Sequence, residues 1–313
     1  MSLLEIGTPF EVHAREFADV IGDAPRLERL VDVDAHEGPV YVAGENALYF
    51  TSLPEPGPEV AIKRLDLASL EVSVVRRSAN GANGMTLDRQ GCLVVCEQGA
   101  LGERARISRL DPATGTVETV VDAWGEVPFN SPNDVVVRSD GTIWFTDPSY
   151  GYLQGFKPEP QAGDHVYRHD PAIGRTTVVA DSFDKPNGLA FSPDERVLYI
   201  GDSGANQEVG SFHPARPHHI RAFDVLDGRR LAGDRLFAVV NPGFPDGLKV
   251  DADGRVYASA YSGVQVFSPA GDELGEIRLP GAVNFTFGGP GRSTLFITAD
   301  TAVWAATLAA KGA

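Results

Sequence analysis

FNSPNDVVVRSDGTIWFTDPSYG, residues 129–151, contains two short apolar runs separated by a turn. The first run covers residues 135–137 and the second covers residues 143–145, with Ser139-Asp140-Gly141 between them. Two runs rich in β-branched and aromatic residues on either side of a glycine-containing turn predict a β-hairpin. Because similar text occurs five more times along the chain, this hairpin is one unit of a repeat.

The six copies of the repeat begin at residues 37, 83, 133, 187, 246 and 284. They are EGPVYVAGENALYFTSL, NGMTLDRQGCLVVCEQG, NDVVVRSDGTIWFTDPSYG, NGLAFSPDERVLYIGDSG, DGLKVDADGRVYASAYSG and NFTFGGPGRSTLFITAD. A second hairpin-like phrase follows each of the first five copies, so each unit has four strands. Four strands that recur with a loose period of 46 to 59 residues over the first five copies are typical of a β-propeller.

The repeats predict an all-β fold, a six-bladed β-propeller with four antiparallel strands per blade, and a single domain over residues 1–313. No segment carries a sustained helical period. The sixth unit ends early, with residues 302–307 as its third strand. We therefore expect an N-terminal strand, around residues 10–17, to supply the fourth strand and close the ring.

Composition and charge exclude several classes of partner. The formal net charge of −16, from 43 acidic and 27 basic residues, argues against nucleic acid or an anionic membrane as a partner and favours a solvated acidic surface. The N-terminal text MSLLEIGTPFEVHAREF has no basic start, which argues against a signal peptide. No apolar run reaches the length of a membrane span. These features predict a cytoplasmic protein.

The two cysteines, Cys92 and Cys96, lie four positions apart in a predicted strand. That spacing puts their Cα atoms roughly 13 Å apart, which is too far for a disulfide. We expect both residues to be free thiols, in agreement with a reducing compartment.

The residues that lead the six units share one chemical property, because each is a carboxylate or a carboxamide. They are Glu37, Asn83, Asn133, Asn187, Asp246 and Asn284. The first strand of a propeller blade lines the central channel, so these positions predict a ring of oxygen-bearing side chains at one mouth. An alternative is that Asn-Gly and Asp-Gly are turn formers, which would explain Asn83, Asn187 and Asp246 but not Glu37.

Oxygen-only ligands suit a hard divalent cation. Ca²⁺ takes six to eight oxygens from carboxylates, amide carbonyls and water, and Glu37 and Asp246 would balance its charge. We expect one divalent cation in the channel, with Ca²⁺ first; all-oxygen ligation also permits Mg²⁺, Mn²⁺, Zn²⁺ or Fe²⁺.

Several short motifs resemble the senescence marker protein/gluconolactonase family of six-bladed propellers. They are Glu37-Gly38-Pro39, Ser131-Pro132-Asn133-Asp134, Trp144-Phe145-Thr146-Asp147-Pro148, Lys185-Pro186-Asn187-Gly188-Leu189 and Pro245-Asp246-Gly247. The resemblance implies an enzyme, a carboxylic ester hydrolase that opens sugar lactones or other esters at one divalent cation. It also implies that Glu37, Asn187 and Asp246 are metal ligands and that Asn133 binds the ion or the substrate. Asp246 matches the proposed general base.

Metal-assisted hydrolysis of a small-molecule lactone follows from this resemblance. The ion would polarise the lactone carbonyl, and Asp246 or a metal-bound hydroxide would deliver the attacking oxygen. We expect substrate contacts from Asn83, Asn133, Tyr150 and Arg104. Weaker candidates, for which surface or packing roles are favoured, are Glu97, Arg106 and Tyr152; Asn284 completes the ring.

Other functions stay open at this point. The same ring on the same scaffold would suit a calcium-dependent phosphotriesterase or another esterase, and a propeller without catalysis would serve as a binding module. The text around Ser203 breaks the Gly-x-Ser-x-Gly pattern, which argues against a serine hydrolase. The long loop at residues 203–219 has the character of a lid or binding loop, and we expect its histidines to be ordinary loop residues. The oligomeric state and the preferred lactone do not follow from the sequence.

Overall fold

The computed structural model describes residues 8–53 and 59–313. Residues 1–7, part of the segment that argues against a signal peptide, lie outside this range. The first blade and the strands that precede it have these bounds: β1 (Phe10–Val12), β2 (Arg26–Ala35), β3 (Val40–Val42), β4 (Ala47–Thr51), β5 (Ile62–Asp66) and β6 (Val72–Arg76).

The second and third blades follow, with a small hairpin, β11–β12, between them. Their strands are β7 (Ala82–Leu87), β8 (Leu93–Glu97), β9 (Arg106–Leu110), β10 (Val117–Val121), β11 (Ala123–Trp124), β12 (Val127–Pro128), β13 (Val135–Val137), β14 (Ile143–Asp147), β15 (His165–Asp170) and β16 (Arg175–Ala180).

The last three blades complete the ring. Their strands are β17 (Pro186–Phe191), β18 (Val197–Asp202), β19 (His219–Leu226), β20 (Arg230–Val239), β21 (Leu248–Val250), β22 (Val256–Ala260), β23 (Gly263–Phe267), β24 (Glu273–Arg278), β25 (Asn284–Gly288), β26 (Thr294–Thr298) and β27 (Asp300–Thr307). The short helices are α1 (Phe17–Ile21) and α2 (Tyr150–Leu153), with 3₁₀ turns at Ala43–Glu45 and Pro290–Arg292.

The predicted six-bladed propeller is confirmed. Each blade is an antiparallel sheet, and the first five have four consecutive strands at their centre. The blades are β3–β6, β7–β10, β13–β16, β17–β20, β21–β24 and β25–β27 with β2. In the third blade Val135 pairs with Phe145 and Val137 with Ile143, which is the hairpin predicted from residues 129–151. The innermost strand of every blade carries one of the predicted ring residues or directly follows it.

The strand that closes the ring differs from the one that the sequence predicted. β2 pairs with β27 and is the outer strand of the sixth blade, whereas Phe10–Val12 pairs with β24 as a fifth strand of the fifth blade. The prediction of residues 10–17 was therefore wrong in position. β2 was overlooked because its text, RLERLVDVDA, lies outside the six repeat units and five of its ten residues are charged, as is common on an edge strand.

Buried side chains of the described residues form six clusters, and each cluster fills the space between two adjacent blades. Phe50 and Phe296 pack between the first and sixth blades, and Cys96 and Phe145 pack between the second and third. Both cysteines are free, as predicted. This arrangement leaves the central channel unfilled by the apolar core, so the polar residues of the inner strands can face it.

No helix in residues 8–53 or 59–313 has the length and apolar character needed to cross a membrane.

Candidate active site

The ring residues lie where the inner strands begin, at one mouth of the channel. Asn83 and Asn187 lie within β7 and β17, Asn284 begins β25, and Glu37, Asn133 and Asp246 come shortly before β3, β13 and β21. Asn83 and Asn187 are therefore strand residues, and the alternative that they form Asn-Gly turns is wrong.

Hydroxyl side chains on the second strand of several blades hold the ring residues by their backbone. The Thr51 hydroxyl accepts from the Glu37 amide at 3.2 Å, and the Ser259 hydroxyl accepts from the Asp246 amide at 3.0 Å. The Thr298 hydroxyl donates to the Asn284 carbonyl at 3.0 Å. Each ring residue of these blades is thus fixed from the neighbouring strand of its own sheet.

Glycines after two ring residues allow adjacent inner strands to touch. The Gly188 amide donates to the Asp246 carbonyl at 2.9 Å, and the Gly84 amide donates to the Asn133 carbonyl at 2.7 Å. A Cβ atom at Gly188 would lie 2.1 Å from the Asp246 carbonyl oxygen, so a side chain there would push the two strands apart. These contacts draw residues that are distant in sequence to one place.

Buried aspartates brace the segments that lead into the third and fourth inner strands. Asp147 accepts hydrogen bonds from the backbone amides of Asn130 and Ser131 at 2.9 and 2.8 Å. Asp202 does the same for Asp184 and Lys185, at 3.1 and 2.9 Å. Because each aspartate ends the second strand of its blade, the approach to Asn133 and to Asn187 is fixed in the same way.

One cavity of about 590 Å³ opens over this end of the channel. Most of the predicted site residues line it together: Glu37, Asn83, Asn133, Tyr150, Asn187 and Asp246. The four predicted metal ligands are thus on one cavity wall although more than 200 residues separate Glu37 from Asp246. Their assignment as ligands stays a prediction.

Asn284, the sixth member of the ring, does not line the cavity. Its side-chain amide donates to Glu37 Oε2 at 2.7 Å, and its Oδ1 accepts from the Phe285 amide at 2.8 Å. Lys249 Nζ lies 3.5 Å from the same Oδ1. Asn284 therefore orients the Glu37 carboxylate from below the cavity.

Arg104, predicted to bind substrate, lies outside this cavity. Its side chain is 69% exposed and lies near Asp122 on a second cavity beside the second blade. Arg106 lines that second cavity too, and Glu97 is fully buried beneath it. The structure thus separates these three residues from the ring.

The electrostatics of the channel mouth are dominated by acidic groups, of which Glu37 and Asp246 have no lysine or arginine partner among the described residues. Burial, and next the charge of Glu37, raise the pKa of Asp246 well above its usual range. Deeper in the channel, burial raises the pKa of Asp134 to about 6, although the Lys249 ammonium opposes that shift. Within the described residues, neither Glu37 nor Asp246 forms a salt bridge with lysine or arginine.

Two ring amides present buried oxygens that have no hydrogen-bond partner in the structure. These are Asn83 Oδ1 and Asn133 Oδ1. A buried carbonyl oxygen without a partner costs free energy, and a hard cation is a partner that would satisfy it. The residues therefore fit a divalent ion. No cluster of three or more His, Cys, Asp and Glu occurs in the part of the chain that the structure describes, so such a site depends on the amide oxygens.

The cavity also contains residues that the sequence analysis missed. His36 and Asp300 both line it, and His36 Nδ1 lies 2.7 Å from Asp300 Oδ1. Burial lowers the pKa of His36, but the hydrogen bond to Asp300 and the charge of Glu37 outweigh it, and the net pKa is raised. In the sequence, His36 could have been predicted as a site residue from its position directly before the predicted ligand Glu37. No sequence motif marked Asp300, which begins β27.

Tyr150 joins the third and fourth blades at the cavity wall. It lies on α2, and its hydroxyl donates to the Ser203 carbonyl at 3.3 Å. Burial, and next the charge of Asp246, raise the pKa of the phenol well above its usual range. Tyr150 is therefore a neutral hydroxyl beside the ring.

The loop between β18 and β19 reaches over the cavity, where Asn206, Val209 and Gly210 contribute to the lining. Its histidines lie elsewhere: His213 Nε2 is 3.2 Å from Glu208 Oε2, and His218 Nδ1 is 2.8 Å from the Val240 carbonyl. The lid or binding role expected for this loop stays a prediction, with the lining contacts in its favour.

Comparison with known proteins assigns this chain to a family. Residues 35–301 match the family model described as the SMP-30/gluconolactonase/LRE-like region. The chain belongs to this family.

Relatives of known name cover most of the chain. A gluconolactonase of Zymomonas mobilis subsp. mobilis is 31% identical over 96% of this chain and 81% of its own length. Lactonohydrolase oryL of Aspergillus oryzae is 30% identical over 88% of this chain and 69% of its own length. Among solved structures, a gluconolactonase from Xanthomonas campestris superposes with a TM-score of 0.82 at 35% identity, covering 96% of this chain and 95% of its own.

Proposed function

We propose that this protein hydrolyses sugar lactones with the help of one divalent cation, held by Glu37, Asn133, Asn187 and Asp246. The observation that carries the proposal is the convergence of these side chains on one cavity, where Glu37 and Asp246 have no lysine or arginine partner among the described residues. The unpartnered Asn133 Oδ1 adds support, because a hard cation would satisfy it.

The names of the relatives support the reaction class. Relatives that cover most of the chain are named gluconolactonase and lactonohydrolase, in agreement with the predicted carboxylic ester hydrolase. The choice of a sugar lactone is part of the proposal, as is the choice of Ca²⁺ from the oxygen-only donor set.

A bound divalent ion would act as a Lewis acid that polarises the lactone carbonyl. Side chains of the protein carry out proton transfer and balance the charge. Asp246 accepts a proton from the attacking water, and Glu37, oriented by Asn284, balances the positive charge at the site. Asn83 and the neutral Tyr150 hydroxyl lie on the cavity wall, where they hydrogen-bond the hydroxyl groups of a sugar ring.

The ester bond between the carbonyl carbon and the ring oxygen breaks in this reaction. The water oxygen bonds to the carbonyl carbon, the ring oxygen leaves as a hydroxyl group with a proton, and the product is a hydroxy acid. His36 is hydrogen-bonded to Asp300 in the same cavity and holds a proton that it donates to the departing ring oxygen.

Metal removal tests the proposal. The protein is stripped with a chelator and assayed by pH-stat against gluconic, xylonic and arabinonic lactones, then assayed again after adding back Ca²⁺, Mg²⁺, Mn²⁺, Zn²⁺ or Fe²⁺. We expect the rate to vanish and then return, with elemental analysis of the untreated protein naming the resident ion. Calorimetric titration of Glu37→Gln should show lost cation binding, while Asp227→Asn, an 80% exposed surface change, should bind normally.

Two results would contradict the proposal. Lactone hydrolysis that persists undiminished in stripped protein would remove the cation from the reaction. Turnover of a phosphotriester but of no lactone would favour the phosphotriesterase alternative, and cation-independent ligand binding without turnover would indicate a binding module.

A further inference from the structure

The cavity over the ring is larger than a single sugar ring requires. At about 590 Å³ it falls in the range of roughly 300–1,000 Å³ that pockets for drug-sized ligands occupy. The ring residues occupy only its base, at the start of the inner strands. The rest of the lining is therefore available to contact a part of the substrate beyond the lactone group.

One sector of the lining is apolar. Phe156 comes from the loop after α2 in the third blade, Val209 from the loop between β18 and β19 in the fourth, and Phe244 from the segment that leads into the fifth. Gln154 and Asn206 also line this sector. The opposite side, formed by the sixth, first and second blades, contributes the polar residues His36, Ser52, Gln98 and Asp300, with Leu53 and Val60 beside them.

The apolar sector continues outward as an exposed aromatic patch. The rings of Phe244 and Tyr261 lie 5.4 Å apart, and those of Tyr261 and Phe212 lie 5.8 Å apart, measured between centroids. Val209 is 85% exposed and Tyr261 is 45% exposed. Apolar side chains grouped at the mouth of a cavity, instead of scattered singly, are typical of a surface that contacts a ligand.

We propose that the preferred substrates are lactones that carry an apolar substituent on the ring, which lies against Phe156, Val209 and Phe244. The inference depends on the proposed function, because it assumes that the lactone carbonyl is at the Glu37–Asp246 end of the same cavity. Contact with this wall adds binding through the hydrophobic effect. A polyhydroxylated ring without such a substituent leaves the wall facing water.

The reaction itself is unchanged for such a substrate. With δ-decanolactone, a six-membered lactone with a pentyl tail, water adds to the carbonyl carbon and the ring carbon–oxygen bond breaks. The ring oxygen becomes the hydroxyl group of 5-hydroxydecanoic acid, and no other reactant is needed.

Matched lactones test the inference with the metal-loaded full-length chain. We compare kcat/KM for δ-decanolactone with that for δ-valerolactone, which has the same ring and no tail, and include glucono-δ-lactone as the reference. One methylene group in an apolar pocket is worth about tenfold or more in discrimination, so we expect the tail to raise kcat/KM at least about tenfold.

Variants in the apolar wall locate the effect. Val209→Asp and Phe244→Leu should each reduce the δ-decanolactone to δ-valerolactone ratio severalfold, while Leu236→Ala, a 63% exposed apolar position on β20, should leave the ratio unchanged. Because Val209 is exposed, a substitution there should have little effect on the stability of the fold. Circular dichroism checks that each variant is folded. Inhibition by the lactam with the same pentyl tail, compared with δ-valerolactam, measures binding without turnover.

The outcomes distinguish failure of the inference from failure of the proposed function. If glucono-δ-lactone is hydrolysed but the tail gives no gain, or the gain survives in both wall variants, the inference is overturned and the proposed function stands. If no lactone is hydrolysed with any of the cations, both are overturned. A tail-dependent gain that the wall variants remove supports the inference.

Discussion

Two buried acidic sites of this propeller are stabilised in opposite ways. Glu97, fully buried in the second blade, accepts hydrogen bonds from Arg76 at 2.5 Å, Arg106 at 2.7 Å and Ser108 at 2.6 Å. Glu37 at the channel mouth instead receives hydrogen bonds from neutral donors, the Gly38 amide at 3.0 Å and the Asn284 side chain at 2.7 Å.

The pKa values of the acids at the two sites are shifted in opposite directions. Burial raises the pKa of Glu97, but the hydrogen bonds from Arg76, Arg106 and Ser108 outweigh it, and the net pKa is lowered. At the channel mouth, burial and the charge of Glu37 act in the same direction and raise the pKa of Asp246. An acid that arginines neutralise, as at Glu97, has a structural role, whereas a buried acidic pair without an arginine or lysine partner is the kind of site that we propose takes up a cation from outside.

Of the substitutions at the two acidic sites, replacing Asp246 by Asn should have the largest effect on turnover. We expect turnover of the preferred lactone to fall between about 10²- and 10⁴-fold, because the proton acceptor is lost. In cation-free buffer the melting temperature should stay the same or rise, since the change removes one of two like charges. Steady-state assays and calorimetry measure both, with Asp227→Asn as the control; near-normal turnover would remove Asp246 from the mechanism.

The same kind of substitution at Glu97 should have the opposite effect on stability. Glu97→Gln leaves Arg76 and Arg106 without their counter-charge, and we expect a loss of about 3 kcal/mol in the free energy of unfolding, because breaking a buried ion pair by removing one partner is costly. The kcat of the folded protein should be retained. Denaturant titration measures the loss, and an unchanged unfolding free energy would mean that the ion pairs contribute nothing.

The stability loss in Glu97→Gln should depend on pH. Because the folded state lowers the pKa of Glu97, its contribution to stability is present above the ordinary pKa of about 4.3 and is lost as pH falls through the lowered pKa. The stability gap between the wild type and Glu97→Gln should therefore shrink as the pH falls from about 5 towards 3.

Asn284→Ala should have the smallest effect of the three. The change removes the hydrogen bond that orients Glu37, and outer contacts of this kind typically alter cation affinity about 10- to 100-fold; we expect the lower figure. Isothermal titration with Ca²⁺ measures the change, with the exposed Gln90→Ala as the control. An affinity equal to the wild type would assign Asn284 to packing alone.

The fold was predictable from the sequence because it is repetitive. Six copies of one strand–turn–strand phrase each predict the same local structure, and the hairpin predicted at residues 135–145 is present. The closing strand β2 was not predicted, since it belongs to no repeat unit and its partner β27 is more than 250 residues away. The predicted site residues that line one cavity all came from the repeat: five lead a unit, and Tyr150 lies at the end of the third unit.

By itself, the sequence determined the number of blades, the strands that face the channel and the oxygen chemistry at its mouth, because these properties are local and recur with each unit. Other features depend on the tertiary structure. Asn284 orients Glu37, His36 meets Asp300, and Arg104 lies on a different cavity. One apolar wall is formed by Phe156, Val209 and Phe244. These relations depend on which loops of different blades become neighbours when the ring closes, and that closure is a long-range event that no single repeat encodes.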